Sequence, residues 1–367
     1  MKKYKVCVYA ISKNEEKFCN RFMDTVKDAD AVYVLDTGST DKTVEILKKR
    51  GANVKVQEIK PWRFDTARNL SLAMVPDDCD ICICLDLDEI LVDGWRKELE
   101  SAWENSINRL YYTYNWRLDK NDHPLVSFYV SKIHSRHGFY WKHPVHEVLI
   151  PSIEEKILTT DKLIVNHYPD DTKSRGSYLP LLELSVQEDP SDDRNMHYLG
   201  REYMYYEKWN ESIDTLIKHL NLPSATWKDE RCASMRFISR DYIALKRYKE
   251  AEMWLELAIK EAPYLKEPYV EMALLQYNLK NDSKVIKYLN KAAKIKENPK
   301  SYIQEVFTND ETIDDLYAIS YYNIGKYSLA LTHAKKALQK NKENKRLQEN
   351  VRIIKEKLNQ YKTINKQ

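Results

Sequence analysis

Glycine is scarce in this chain, with seven in 367 residues, and no two of them are close enough to build a phosphate-cradling loop. A P-loop and a Gly-x-Gly-x-x-Gly dinucleotide fingerprint are therefore excluded. If a diphosphate is bound, a metal must neutralise it. An excess of one charge sign is also missing: 59 basic and 56 acidic side chains leave a net +3, which gives no nucleic-acid footprint. Long apolar runs are absent near the amino terminus. The segment 6–11 contains Cys7 and gives way to Ser12-Lys13-Asn14-Glu15, too short for a signal sequence or a membrane span. The six cysteines sit mostly in apolar runs, and Cys79-x-x-Cys82 has no second half to complete a zinc site. Buried, reduced thiols in a cytoplasmic protein are the expectation.

What is present centres on residues 79–89. An apolar run, Ile81-Cys82-Ile83-Cys84-Leu85, ends in Asp86, Asp88 and Glu89. Such a run reads as a strand buried on both faces, with the acids at its carboxyl end, the edge where open α/β sheets bind ligands. Carboxylates crowded there call for a shared divalent cation. The plainer reading is that they open the next helix as first-turn acids, and that role is assigned to Glu89. Upstream, strand-like segments 4–11, 31–35 and 54–57 alternate with helical patterns at 15–27, 42–50 and 66–74, which predicts a mostly parallel sheet. Ile11-Ser12, Asp36 and Asp86-Asp88 should then share one edge.

From residue 109 the texture changes to strand-like segments 110–116 and 125–134, joined near Asp119-Lys120-Asn121-Asp122 in a predicted hairpin, then a strand over 157–165 delivering Asn166-His167. Five of the nine histidines lie between His134 and His167. Histidine is more often structural than ligating, but this density favours a site. Beyond residue 175 the sequence is helical and repetitive. Leu199-Gly200, Ser239, Ala251, Ala258, Ala273, Ala292, Ala318, Ala330 and Ala334 recur as small-residue positions, and Ala258 to Ala292 spans 34 residues, the tetratricopeptide period. His219 and Gln276 depart from that pattern, an insertion falls around 299–310, and a helix over 345–358 should cap the stack.

Four motifs in order carry a specific resemblance: Ser12-Lys13-Asn14-Glu15-Glu16, Asp36-Thr37-Gly38-Ser39-Thr40-Asp41, Ala67-Arg68-Asn69 and Asp86-Leu87-Asp88-Glu89. The chain resembles an inverting glycosyltransferase of family 2 fused to tetratricopeptide repeats, similar to bacterial peptide glycosyltransferases that modify bacteriocin precursors. The implied architecture is an α/β GT-A domain, Rossmann-like with a mostly parallel sheet, over 1–172. A helical repeat solenoid over 173–343 and a capping helix over 344–367 follow. The implied activity is metal-dependent transfer from a UDP-sugar to a peptide or protein side chain docked on the repeats. A cell-surface glycolipid or polysaccharide is the alternative acceptor, and the repeats could equally make a homodimer.

The resemblance also implies roles. Ile11, Glu15, Asp36, Arg68, Asp86, Leu87 and Asp88 would bind the donor, with Asp36 accepting the uracil imide hydrogen unless it only forms the turn, and Asp86 near the ribose. Asp88 and His167 would hold Mn2+ or Mg2+, and Glu147, with His146 beside it, would be the base. Gly138 resembles the loop that precedes the base, although His146 stands where an acid is usual. Trp141 is open to two readings, stacking on a sugar or packing beneath the loop. Two rivals are weaker. A nucleotidyltransferase would carry a glycine- and arginine-rich loop after the first strand, and an inactive scaffold would be expected to lack Asp36 or Asp88.

Overall fold

The computed structural model describes residues 4–104, 106–170, 176, 178–296 and 305–364. The chain forms two compact units, Met1–Pro190 and Ser191–Gln367. The boundary expected between 172 and 173 and the first part of the expected insertion, 299–304, lie outside the described residues.

The first unit opens with β1 (Val6–Ser12), α1 (Glu16–Thr25), β2 (Ala31–Asp36), α2 (Thr43–Lys49), β3 (Asn53–Val56), α3 (Phe64–Leu72) and β4 (Ile81–Cys84). It continues through β5 (Glu89–Leu91), α4 (Trp95–Trp103), β6 (Arg109–Leu118), β7 (Pro124–Ser135), β8 (Phe139–Lys142), β9 (Val148–Pro151), β10 (Ile157–His167) and α5 (Tyr178–Glu188). Eight strands make one sheet in the order β3-β2-β1-β4-β7-β6-β10-β5, and β8 pairs with β9 in a separate ribbon. Strands β3, β2, β1 and β4 run parallel, as does the pair β6 and β10, while β7 and β5 run antiparallel to their neighbours. This is the mostly parallel sheet that the alternation of elements predicts, in the GT-A-like form that the resemblance implies.

Every residue of β4 is buried because both faces are covered. Ile81 and Ile83 join Val6, Val8 and the α1 residues Phe18 and Phe22 on one side, whereas Cys82 and Cys84 join Cys7, Tyr9, Phe139 and Trp141 on the other. All six cysteines are buried and unpaired. The predicted hairpin forms between β6 and β7, and Asp119 Oδ1 fastens its turn by accepting from the backbone N–H groups of Asn121 (2.7 Å) and His123 (2.9 Å).

The second unit is helical, with α6 (Asp193–Tyr205), α7 (Trp209–Asn221), α8 (Lys228–Ala244), α9 (Tyr248–Glu261), α10 (Glu267–Asn278) and α11 (Asp282–Ala292). A short 3-10 turn at Val306–Thr308 precedes α12 (Thr312–Asn323), α13 (Tyr327–Lys340) and α14 (Lys345–Ile364). Successive helices pack as hairpins stacked along the chain, the arrangement of a tetratricopeptide-like solenoid. The small residues sit where helices cross: Ala251, Ala258, Ala273, Ala292, Ala318, Ala330 and Ala337 are wholly buried. Hydroxyls seal the first two hairpins in the same way. Ser212 Oγ donates to the Gly200 carbonyl at 2.8 Å, and Ser239 Oγ donates to the Ala251 carbonyl at 2.9 Å.

Gly200 is dictated by space. A Cβ there would stand 2.5 Å from Leu216 Cγ and 3.3 Å from the Leu216 backbone nitrogen. Overpacking costs roughly 1–3 kcal/mol, which exceeds the ~1 kcal/mol of helix propensity that alanine offers over glycine. Gly200→Ala should therefore lower the thermal midpoint of the helical unit, and an unchanged or raised midpoint in calorimetry would contradict this packing.

Candidate active site

The carboxyl ends of β1, β2 and β4 come together as the strand alternation requires. Ser12 is in register with Asp36, and the Leu85 N–H donates to the Tyr9 carbonyl at 3.2 Å, continuing the β1–β4 ladder past Cys84. Asp36 is wholly buried and serves its turn. Its Oδ1 accepts from the N–H groups of Gly38 (3.1 Å) and Ser39 (2.8 Å), and its Oδ2 accepts from Ser12 Oγ (2.8 Å) and Ser39 Oγ (2.5 Å). Gly38 has φ of +107°, which the turn needs and which a side chain would oppose. Glu15 is half-buried at the start of α1, and its N–H donates to Thr43 Oγ1 at 2.8 Å. Ile11 is half-buried at the end of β1. Leu87 is 2% exposed, so its side chain is committed to the core.

Arg68 is the junction of the site. Its guanidinium is buried and reaches three groups: Nε donates to Glu147 Oε1, one terminal nitrogen lies 2.9 Å from Asp86 Oδ1, and the other donates to Cys84 Sγ at 3.2 Å. Trp141 closes the pocket behind it, with the arginine cation 5.3 Å from the ring centroid. Of the two readings left open for Trp141, packing is the outcome. It is 4% exposed and its Nε1 donates to Tyr9 Oη at 2.9 Å. Burial pushes the Asp86 carboxyl up, but Arg68 and Lys132 together outweigh it and hold Asp86 below the ordinary carboxylate range.

Glu89 does not open the next helix. It begins strand β5, pairs in register with His167, and is 1% exposed, whereas α4 starts at Trp95. Asp86 and Glu89 are joined by a tight turn, in which the Asp86 N–H donates to Glu89 Oε2 at 2.9 Å. The buried charge is met by Lys132 Nζ, which donates to Glu89 Oε1 at 2.6 Å and lies 3.3 Å from Asp86 Oδ2, and by Tyr114 Oη, which donates to the same Glu89 oxygen at 2.8 Å. Lys132 is not among the expected site residues. Its only sequence signal is its place in the alternating phase Val126, Phe128, Val130, Lys132 of β7, a charge where the strand is otherwise apolar.

Asp88 and His167 are brought together from segments far apart in the chain: His167 Nε2 lies 3.4 Å from Asp88 Oδ2. His167 Nδ1 lies 3.1 Å from the Trp116 carbonyl, to which it donates, so Nε2 is the ring nitrogen that faces Asp88. The imidazole is clamped by stacking on Trp116 at 4.6 Å, and Trp116 itself is 42% exposed. The Tyr168 N–H donates to the Asp88 carbonyl at 2.9 Å, tying the two segments by backbone as well. This is a donor set of the hard and borderline type that Mn2+ or Mg2+ takes, oriented as a metal-ligating histidine is.

His146 adopts φ of +51°, and its ring meets Tyr178 edge-on with centroids 5.7 Å apart. Glu147 is 11% exposed in its side chain, and its Oε2 accepts no hydrogen bond among the described residues. The remaining histidines of the cluster are structural where their contacts are defined. His134 is wholly buried between Tyr9 Oη (2.8 Å) and the Ser135 carbonyl (2.8 Å), and burial pulls its pKa down to about 4.

Residues 7–142 match the model described as Glycosyl transferase family 2. The matched segment contains Asp36, Arg68, Asp86 and Asp88 and ends before Glu147 and His167. An uncharacterized glycosyltransferase of Rickettsia bellii (strain RML369-C) is 34% identical over 115 residues, which is 31% of this chain and 38% of that protein. The chain thus spans well under half the length of the curated relatives it matches. Among solved structures, a thermophilic TPR protein of Thermus thermophilus is 19% identical with a TM-score of 0.36, covering 48% of this chain and 88% of that one. YrrB, described as a TPR protein with an unusual peptide-binding site, is 14% identical with a TM-score of 0.38, covering 47% of this chain and 81% of its own.

Removing Lys132 should leave Glu89 buried and unpaired. Breaking such a pair costs about 3–5 kcal/mol, so Lys132→Met should lose that much in urea unfolding, and Glu89→Gln in the same chain should restore most of it. Burial first, and Asp86 with it, raises the Glu89 pKa against the pull of Lys132. A carboxyl that binds its proton more tightly folded than unfolded gains stability as pH falls. The Lys132→Met deficit should therefore shrink as pH drops toward the ordinary glutamate range, and a deficit independent of pH would reject the assignment.

Proposed function

We propose that this chain is a metal-dependent inverting glycosyltransferase that moves a sugar from a UDP-sugar onto a peptide or protein side chain. The observation that carries the reading is the Arg68 junction, in which a buried cation ties Asp86, from the strand-end motif, to Glu147, from a loop distant in sequence. The match of residues 7–142 to a family of glycosyl transferases supports it independently.

Formal charge supports a dication as well. With His167 neutral, Asp86, Asp88, Glu89 and Glu147 set four carboxylates against the two cations Arg68 and Lys132, leaving two negative charges over. Asp88 and His167 would hold a manganese or magnesium ion, whose chemistry there is Lewis-acid stabilisation of the departing diphosphate. Asp86, kept ionised by Arg68 and Lys132, accepts hydrogen bonds from the donor ribose. Asp36 organises the Thr37-Gly38-Ser39 turn and presents it to the uracil.

Glu147 is the base in this reading. Arg68 fixes one of its oxygens and leaves Oε2 to take the acceptor proton. As that proton moves, the acceptor oxygen or sulfur forms its bond to the anomeric carbon. The bond from that carbon to the β-phosphate oxygen breaks, and its electron pair leaves with UDP. Inversion follows because Glu147 and the diphosphate act on opposite faces of the sugar.

The acceptor assignment rests on the helical unit, since stacked helical hairpins offer a concave surface suited to an extended peptide. Among the described residues no helix is long and apolar enough to cross a membrane.

Thermal-shift measurements with UDP, GDP and CDP, each with and without manganese, should give a metal-dependent rise for UDP. No metal-dependent response to any of the three would remove the transferase reading. Glu147→Gln should keep UDP binding within a few-fold while turnover falls by about 100-fold or more, the scale of a lost acid–base catalyst. Asp88→Asn should weaken donor binding in the presence of metal, and calorimetry showing unchanged binding would contradict its role.

A further inference from the structure

We propose that the helical unit holds a second metal site, built by Asp193, His219 and Glu230 and suited to a divalent transition ion such as Zn2+. These residues lie at one end of the first three helices: Asp193 in the first turn of α6, His219 in the last turn of α7, and Glu230 in the first turn of α8. One ligand atom from each falls within 4.8 Å of the others. His219 is wholly buried and Glu230 is 3% exposed, while Asp193 is half-buried at the rim.

The imidazole of His219 points to a ligand. Its Nε2 is buried, has no hydrogen-bond partner among the described residues, and stands 3.4 Å from Glu230 Oε1. Two atoms each about 2.1 Å from a tetrahedral zinc ion are themselves separated by about 3.4 Å, so this spacing would admit an ion between them. Its Nδ1 lies 2.9 Å from Ser234 Oγ, which in turn lies 2.7 Å from His197 Nδ1. Ser234 has a single proton to donate, so one of the two imidazoles must supply its own N–H.

With His219 neutral, both ways of distributing these protons leave it unsatisfied without a cation, whereas a protonated His219 would make a 3.4 Å ion pair with Glu230. Suppose first that His219 Nδ1–H donates to Ser234, which donates to His197. Nε2 then turns a bare lone pair toward a carboxylate. If the chain runs the other way, Nε2–H is a buried donor with no aligned acceptor, a cost of about 1–3 kcal/mol. A cation between Nε2 and Glu230 satisfies the first arrangement, and a histidine whose second nitrogen is held by a neighbouring side chain is the usual form of an oriented metal ligand. Burial, with His219 and nearby arginines adding to it, keeps His197 neutral and able to accept from Ser234. Imidazole with two carboxylates suits zinc and its first-row neighbours better than calcium or magnesium.

The site would clamp α7 between α6 and α8 at the first crossing of the solenoid, and the half-buried rim at Asp193 leaves a position for water. It explains why a histidine stands at 219, where the repeat pattern takes a small or aromatic residue.

The test uses full-length, untagged protein stripped of metal, in an Asp88→Asn background so that the proposed transferase metal does not contribute. Titration calorimetry with ZnCl2 should give one site per chain, accompanied by a rise in thermal midpoint, and Co2+ in its place should give the intense visible absorption of a low-coordinate ion. Glu230→Gln and Asp193→Asn, both near-isosteric and checked for native helicity by circular dichroism, should each weaken zinc binding by about 100-fold or more, beyond the range for residues that only orient a ligand. Zinc affinity unchanged in either variant, or no zinc uptake by the parent, overturns the proposal and leaves His219 and Glu230 as a plain ion pair. The outcome does not depend on the transferase reading.

Discussion

At the sheet edge, Asp86 and Glu147 are held together by one buried guanidinium. Arg68 sits under Trp141 with acids on two sides, and without it Asp86 and Glu147 would face each other across a poorly solvated space. A lysine could not replace it. A single ammonium would have to choose among Glu147, Asp86 and Cys84, whereas the planar fork addresses all three at fixed angles. The α3 helix that carries Arg68 is itself anchored to the β8 ribbon. Asn69 Nδ2 donates to the Trp141 carbonyl at 2.8 Å, and Asn69 Oδ1 accepts from the Trp141 N–H at 2.8 Å. Position 69 thus fixes the ribbon that position 68 needs at its back, which is why Arg68 and Asn69 act as a pair.

A second charged layer lies deeper. Lys132, Glu89 and Tyr114 form a closed set in which Glu89 accepts from lysine, phenol and the Asp86 backbone at once. Burying a carboxylate costs several kcal/mol unless its lone pairs are met, and here three donors meet them. The layer holds the Asp86 to Glu89 turn rigid, so that Asp88 projects from it toward His167. The half-buried acids of the motif are therefore positioned by the one that is hidden.

Much of this is legible from residue order. The alternation of apolar runs with helical patterns implies the parallel strands, and the shared edge of Ser12, Asp36 and Asp86 follows from strand direction alone. The helical hairpins are legible because small residues recur wherever two helices must touch. Glu89 misleads because an acid after a strand looks the same whether it caps a helix or starts a buried strand. The difference is made by Lys132 and Tyr114, more than twenty residues away, and nothing local announces them. Trp141 shows the same limit. Its neighbours Lys142 and His143 are polar, and only the tertiary position of Tyr9 reveals that the indole points inward. The β8–β9 ribbon escapes a reading of the sequence since its strands, Phe139–Lys142 and Val148–Pro151, are too short to show a period.

The burial of all six cysteines equips the molecule with its own opening probes. Cys7, Cys19, Cys79, Cys82 and Cys84 lie in the first unit and Cys232 alone lies in the second. A thiol sealed in a core reacts with an alkylating reagent only when the surrounding structure opens. Labelling at Cys232 therefore clocks the breathing of α8 in the helical unit, while the other five clock the sheet, so a single mass spectrum taken through a labelling time course reads the local stability of each unit separately in the unmodified chain.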